Sequence, residues 1–156
     1  MKLSKNDDIK LNIDSLTSEG SGIGRFDGFA VFVRGVVPGD EVVAHIIKCS
    51  KNYAIGVVKD IIKPSKFRIE SDCPVSSKCG GCSFRNVSYD EELRYKKGRV
   101  QDALERIGKL DIEVEEIIGA DKCSHYRNKA QYPVSICDGE LFAGFYAYKS
   151  LSLIHI

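Results

Sequence analysis

Apolar and polar residues alternate in short bursts over residues 9–62, and each burst is closed by Gly, Pro or Asp. Because a strand shows its two faces in alternate residues, this is the grammar of a small all-β unit. Asp27-Gly28 separates Gly24-Arg25-Phe26 from Phe29-Ala30-Val31-Phe32-Val33, and Asp-Gly between apolar runs predicts a tight hairpin. Pro38-Gly39 suits the centre of a type II turn, since proline presets one φ and glycine accepts the positive φ that follows. Val42-Val43-Ala44-His45-Ile46-Ile47 and Tyr53-Ala54-Ile55-Gly56-Val57-Val58 come next. The total is about five strands in roughly 55 residues, the size of a small closed barrel of the OB type. Pro64 ends it. Gly20-Ser21-Gly22-Ile23-Gly24 superficially resembles a phosphate-cradling loop but leads into a hairpin, not a helix. These glycines are expected to bend a barrel strand.

From Ser88 the period becomes helical. Tyr89, Leu93, Lys97, Val100, Leu104 and Ile107 recur on one face until Gly108, and Ser88 with Glu91 predicts a capping box. The other face mixes Arg94, Lys96, Arg99, Arg106 and Lys109 with Glu92, Asp102 and Glu105, which reads as a solvated surface and not a nucleic-acid patch. Ile112, Val114, Ile117 and Ile118 then suggest a strand or a short extended run. Residues 123–149 read as β structure, with a hairpin around Asp138-Gly139 whose arms, Tyr132 to Ile136 and Leu141 to Tyr146, are apolar enough to face a core. The expected fold class is α+β, mainly β with one long helix at 88–108. The expected division is a barrel domain at 1–64 and a second domain at 65–156.

Composition adds little to this. The chain has 156 residues, 43% hydrophobic and 29% charged, and Lys plus Arg (23) nearly balance Asp plus Glu (22), so net charge selects no partner. The N-terminus has no apolar signal-like core and no run approaches a membrane span, from which a cytoplasmic, membrane-free protein is expected. In that compartment the six cysteines are not expected to form disulfides. Cys73, Cys79 and Cys82 are clustered, and the last two bracket Gly80 and Gly81. Thiolates prefer soft metals, and two glycines let the backbone turn tightly and aim amides at sulfur. Spacing alone leaves zinc and iron open, and the set is one ligand short. Cys123 and Cys137 are candidates for a fourth, although isolated cysteines more often serve as small buried apolar residues, as Cys49 is expected to do.

Taken together, Gly35 through Pro38-Gly39-Asp40, Lys51-Asn52-Tyr53, Cys73-Pro74, Cys79-Gly80-Gly81-Cys82 and Tyr126-Arg127-Asn128-Lys129-Ala130-Gln131 resemble the front of a bacterial RNA (uracil-5-)-methyltransferase, the ribosomal RNA enzymes in particular. The resemblance spans about residues 7–149. It implies an OB-like RNA-binding TRAM barrel, then a 4Fe-4S cluster and a central β domain. A C-terminal domain binding S-adenosylmethionine (SAM) would follow. Cys73, Cys79 and Cys82 match three cluster ligands of the family. The fourth is implied shortly after the strand matching Gly144-Phe145-Tyr146, where Ser150-Leu151 departs from the pattern; Leu151 to Ile156 are expected to come from a truncated or misassembled reading frame. The family's SAM loop, nucleophilic cysteine and general base lie in the C-terminal domain. No residue here is therefore assigned a catalytic role, and the chain is expected to be inactive alone.

RNA contact on such a barrel combines basic side chains with aromatic platforms for unpaired bases. Arg25, Phe26, Phe29, Lys51 and Tyr53 supply those types; Phe26 and Phe29 suit the barrel core better, whereas Lys51 and Tyr53 in a polar loop suit RNA. Arg127 and Lys129 match the family's RNA-facing motif, and Asn128 and Gln131 are as readily structural. The helix stripe would pack on the missing domain and lie exposed in this chain. The alternative function is a standalone RNA-binding Fe-S or zinc module; an electron-carrying ferredoxin is disfavoured because no Cys-x-x-Cys run repeats.

Overall fold

A computed structural model describes residues 3–137 and 139–155. They divide into two compact units, one running to Ser77 with Cys82–Val87, the other holding Lys78–Gly81 and the chain from Ser88 onward. Among the described residues no helix is long and apolar enough to cross a membrane.

The first unit is built on five strands: β1 (Asp8–Leu16), β2 (Gly22–Phe26), β3 (Phe29–Arg34), β4 (Glu41–Cys49) and β5 (Tyr53–Lys63). They close into a barrel in the order β1-β2-β3-β5-β4, with β3 and β5 parallel and the other neighbours antiparallel. Closure leaves no strand edge open. The alternation does what it predicts: Ile9, Leu11 and Ile13 of β1 turn inward and meet Val31, Val33, Val42, Ala44, Ile46 and Ala54. Each large member of that core stabilises the fold by about 1.5–3 kcal/mol. The β2–β3 hairpin turns through Asp27 and Gly28, both at positive φ (48° and 82°), the backbone that a two-residue hairpin of right-handed twist requires.

The Gly20–Gly24 run is structural, as expected. A Cβ on Gly22 would lie 2.2 Å from Val36 Cγ2, and one on Gly24 would lie 2.3 Å from the Asn12 carbonyl oxygen. Both glycines sit where β2 crosses closely over β1, near the register shift between Ile13 and Ser15.

Beyond β5 the chain is fastened to the barrel by one buried carboxylate. Asp40 accepts from the Val37 amide at 2.7 Å, the Ser65 amide at 2.8 Å and the Arg68 guanidinium, and Arg68 also donates to the Gly35 carbonyl at 3.0 Å. The Asp40 side chain is wholly buried and fully satisfied, which makes it a strut and not a reactive group. An isolated bridge from Arg68 to Val87 and the Ile69 amide on the Asn86 carbonyl extend the same unit.

In the second unit, α1 (Tyr89–Asp102) continues as a π-helical turn over Ala103–Ile107. The capping box does not form: Ser88 is the N-cap but its hydroxyl caps nothing, and Glu91 instead pairs with Arg94 one turn on. A neighbouring cation competes for the carboxylate that the motif would send back to the N-cap amide. Residues 110–120 form an irregular run and no strand. It lies along α1, held by Gln101, which donates to the Ile112 carbonyl and accepts from the Val114 amide, and by Tyr89, whose hydroxyl accepts from the Ala120 amide. Tyr89 and Leu93 are thereby partly covered, while Val100 and Ile107 remain exposed. Residues 119–133 contain no strand. β6 (Val134–Cys137), β7 (Glu140–Tyr146) and β8 (Leu153–His155) make a three-stranded antiparallel sheet. The β6–β7 hairpin falls where Asp138-Gly139 predicts it, with Asp138 itself outside the described residues. Its arms do not face a core: Val134, Ile136 and Leu141 are all exposed.

Candidate nucleic-acid interface

Strand register decides which side chains share the outer wall of the barrel. Arg25 pairs with Ala30 and Ala30 with Tyr53, so these three form one row across β2, β3 and β5. The next row is Ile23, Phe32, Ile55 and Lys48, and a third joins Arg34, Val57 and His45. All point outward: the alternating positions Gly24, Val31, Val33, Ala54, Gly56, Ala44 and Ile46 are buried, and the register shift between Ile46 and Lys48 brings Lys48 to the exposed side. With strands about 4.8 Å apart, Arg25 and Tyr53 stand about 10 Å from each other with only a methyl between them.

At the centre of this wall Tyr53 meets Phe32 edge to face, ring centroids 5.6 Å apart. None of the outward positions in the three rows is acidic. Arg25, Arg34 and Lys48 stand around the aromatic pair. Acid borders the rows on both sides: Asp14 and Glu41 line a pocket with Arg25, and beyond His45 Asp8 accepts from the ring Nδ1 at 2.7 Å and pairs with Lys59. Those two partners, Lys59 first, hold the Asp8 carboxyl below the usual carboxylate range. A wall with an exposed aromatic centre and a cationic border is suited to stacking unpaired bases while their phosphates are neutralised at the rim.

Of the residues singled out from sequence, Arg25 and Tyr53 share this wall. Lys51 is exposed in the tight β4–β5 connection, which closes through the Ser50 amide on the Tyr53 carbonyl at 2.8 Å. Arg127 and Lys129 belong to the second unit, exposed in the strandless stretch before β6, with the Arg127 guanidinium 5.6 Å from the Tyr126 ring centroid. Sequence reasoning missed Phe32, Arg34 and Lys48. The parity of Phe32 and Arg34 along β3 is readable, but which strands lie side by side is not, and Lys48 shares the parity of the buried Ala44 and Ile46 until the register shift after Ile46 turns it out. Phe26 and Phe29 are partly buried against the core, in keeping with the structural role expected of them.

The cysteines are arranged less completely. Cys73 and Cys82 fall in the first unit and Cys79 in the second. Around Cys79 the backbone is well formed: the Gly81 amide donates to Cys79 Sγ at 3.3 Å, the Gly80 amide donates to the Tyr146 carbonyl at 3.0 Å, and Cys79 bridges to Ala147. Among the described residues no three side chains of His, Cys, Asp or Glu come together as a metal-binding group. Cys123 is exposed, and the Cys49 thiol donates to the Leu3 carbonyl at 3.4 Å.

Residues 6–59 match the TRAM domain family. The barrel is a TRAM domain. The chain around it is 45% identical over 152 residues to an uncharacterized RNA methyltransferase of Listeria monocytogenes, and 43% identical over 153 residues to one of Halalkalibacterium halodurans. Each alignment takes in 97% of the chain and 34% or 33% of the relative, so the chain spans about a third of the length of these homologues. In fold it is similar to the Pyrococcus abyssi tRNA (uracil-54, C5)-methyltransferase solved with S-adenosyl-L-homocysteine, at a TM-score of 0.57 and 21% identity, covering 94% of this chain and 31% of that one. In sequence and in fold the chain is thus similar to about a third of the length of these proteins.

Proposed function

We propose that this chain is the RNA-binding N-terminal part of a SAM-dependent RNA (uracil-5-)-methyltransferase, acting on ribosomal RNA. The observation that carries the reading is the set of three acid-free rows on the outer wall of the TRAM barrel, with Phe32 and Tyr53 at their centre and Arg25, Arg34 and Lys48 around them. The ribosomal substrate and the uracil C5 position rest on the sequence resemblance. In such a reaction a cysteine thiolate adds to C6 of uracil, C5 takes the methyl group of SAM with release of S-adenosylhomocysteine, and a base removes the C5 proton as the thiolate is expelled from C6. No residue of this chain is assigned to those steps; its part is to hold the RNA.

Binding of a fluorescent single-stranded RNA to the full chain, followed by anisotropy over a salt series, tests this. Affinity should fall with salt at a log–log slope of about −0.7 per phosphate contacted. Tyr53→Ala should weaken binding by about 1–3 kcal/mol. Binding indifferent both to salt and to Tyr53 would sink the reading. The methyl-transfer assignment is tested separately, in the longer protein, by transfer of labelled methyl from SAM to uracil C5.

The same proposal includes a 4Fe-4S cluster with Cys73, Cys79 and Cys82 as three of its ligands. The Gly81 amide on Cys79 Sγ supports it, as does the pairing of Lys78–Gly80 with Tyr146–Tyr148, since the family pattern puts the fourth ligand just after this strand. Iron and sulfide analysis after anaerobic purification tests it. One equivalent of zinc without sulfide would replace the cluster with a zinc site.

A further inference from the structure

Phe26 and Phe29 close the β2–β3 ladder as its last pair, one step beyond Arg25 and Ala30. Alternation turns them inward, but at this end the barrel has run out of core to cover them. With Leu3, Asp27, Cys49, Ser50 and Lys51 they line an open cavity of about 550 Å³ at the barrel mouth, and both rings rest on the core beneath. Voids left by imperfect packing are small and closed, whereas pockets that take small molecules run to about 300–1,000 Å³. The rim carries Lys51, and Arg25 donates to the Gly28 carbonyl of the adjoining turn at 3.3 Å.

The geometry points to a pocket for one unstacked nucleobase of a single-stranded RNA, its ring against Phe26 and Phe29 and its phosphate at Lys51. This rests on the RNA-binding reading above and extends it. Three features select this occupant. The pocket lies at the end of the same hairpin that carries Arg25 and Ala30 on its outer face, so one strand of RNA can reach both. Its surface joins aromatic faces to a cation, the pairing that a base and its phosphate need. Its mouth opens beside the β4–β5 connection, which with the β2–β3 face is where OB barrels take oligonucleotides.

The chain contains no tryptophan, so Phe29→Trp introduces a single reporter. Cys49 gives a second readout in the unaltered protein, as the rate at which iodoacetamide labels its thiol, resolved by mass spectrometry. A single-stranded oligoribonucleotide should quench the tryptophan and slow labelling of Cys49 several-fold. A duplex of equal length should do neither, since its bases stay stacked. Phe29→Ala should weaken single-strand binding about fivefold or more. Should anisotropy show single-strand binding while Cys49 labelling and tryptophan emission stay unchanged, or should the duplex act equally, the pocket assignment is overturned and the outer-wall reading survives. Absence of any RNA binding would instead remove the RNA-binding reading itself.

Discussion

The two units handle apolar surface in opposite ways. Every buried hydrophobic side chain among the described residues, from Ile9 to Val87, belongs to the unit that contains the barrel. The second unit leaves Val100, Ile107, Ile118, Ile136, Leu141 and Leu151 exposed, and Glu91 is the buried charge it holds among the described residues. Closing a barrel turns five short strands into a complete interior, whereas a three-stranded sheet has two faces and needs something laid on one of them. Length in sequence is therefore a poor guide to self-sufficiency: two units of similar length differ in whether they bury an apolar core.

The sharpest way to test this contrast is to break the strut of the barrel unit. Asp40→Ala leaves the partly buried Arg68 cation without its partner and should cost about 3–5 kcal/mol, read as a lower midpoint in urea. Next come paired truncations. Ile46→Ala in the barrel should cost about 2–5 kcal/mol, while Ile136→Ala in the second unit should stay within about 0.5 kcal/mol. Equal costs would mean that the second unit also packs a core. Smaller in free energy but plain on a gel-filtration column, Ile136→Ser with Leu141→Lys should reduce self-association without shifting the unfolding midpoint. A chain already monomeric before substitution, and protease-resistant through Leu93 to Ile107, would contradict the idea of an uncovered face.

The smallest effect concerns pH. Asp8 has its folded pKa lowered by Lys59 and His45, so its contribution to stability is complete above the ordinary unfolded carboxylate value. It is lost as pH falls through the lower folded value. Acid titration of wild type and Asp8→Asn should therefore differ above that window and converge below it. Divergence that grows toward acid would reverse the sign.

The barrel was legible because its signals are local. Asp27-Gly28 names its own hairpin, and alternation along β4 names its inner face. The binding wall was half legible: Arg25 and Tyr53 stand out by type, but the placement of Phe32 beside Tyr53 depends on β3 lying parallel to β5, a pairing of residues far apart in the chain. In the second unit local signals misled. Apolar arms imply burial only when a partner exists to bury them, so Ile136 and Leu141 read as core and stand exposed. Ser88 with Glu91 reads as a capping box, yet Arg94 takes the carboxylate. The three cysteines show chemistry through their type and spacing, but not whether the backbone gathers them.

Asp40 also governs how load passes along the chain. Residues 65–68 are tied to the barrel by its carboxylate and by the Arg68 reach to the Gly35 carbonyl, so tension applied beyond Arg68 does not first meet the end of β5. It arrives at the Val37–Asp40 turn, in the middle of the barrel. Anything that pulls on the cysteine segment, an RNA strand included, thus draws on the whole barrel's resistance and not on a fraying terminal strand.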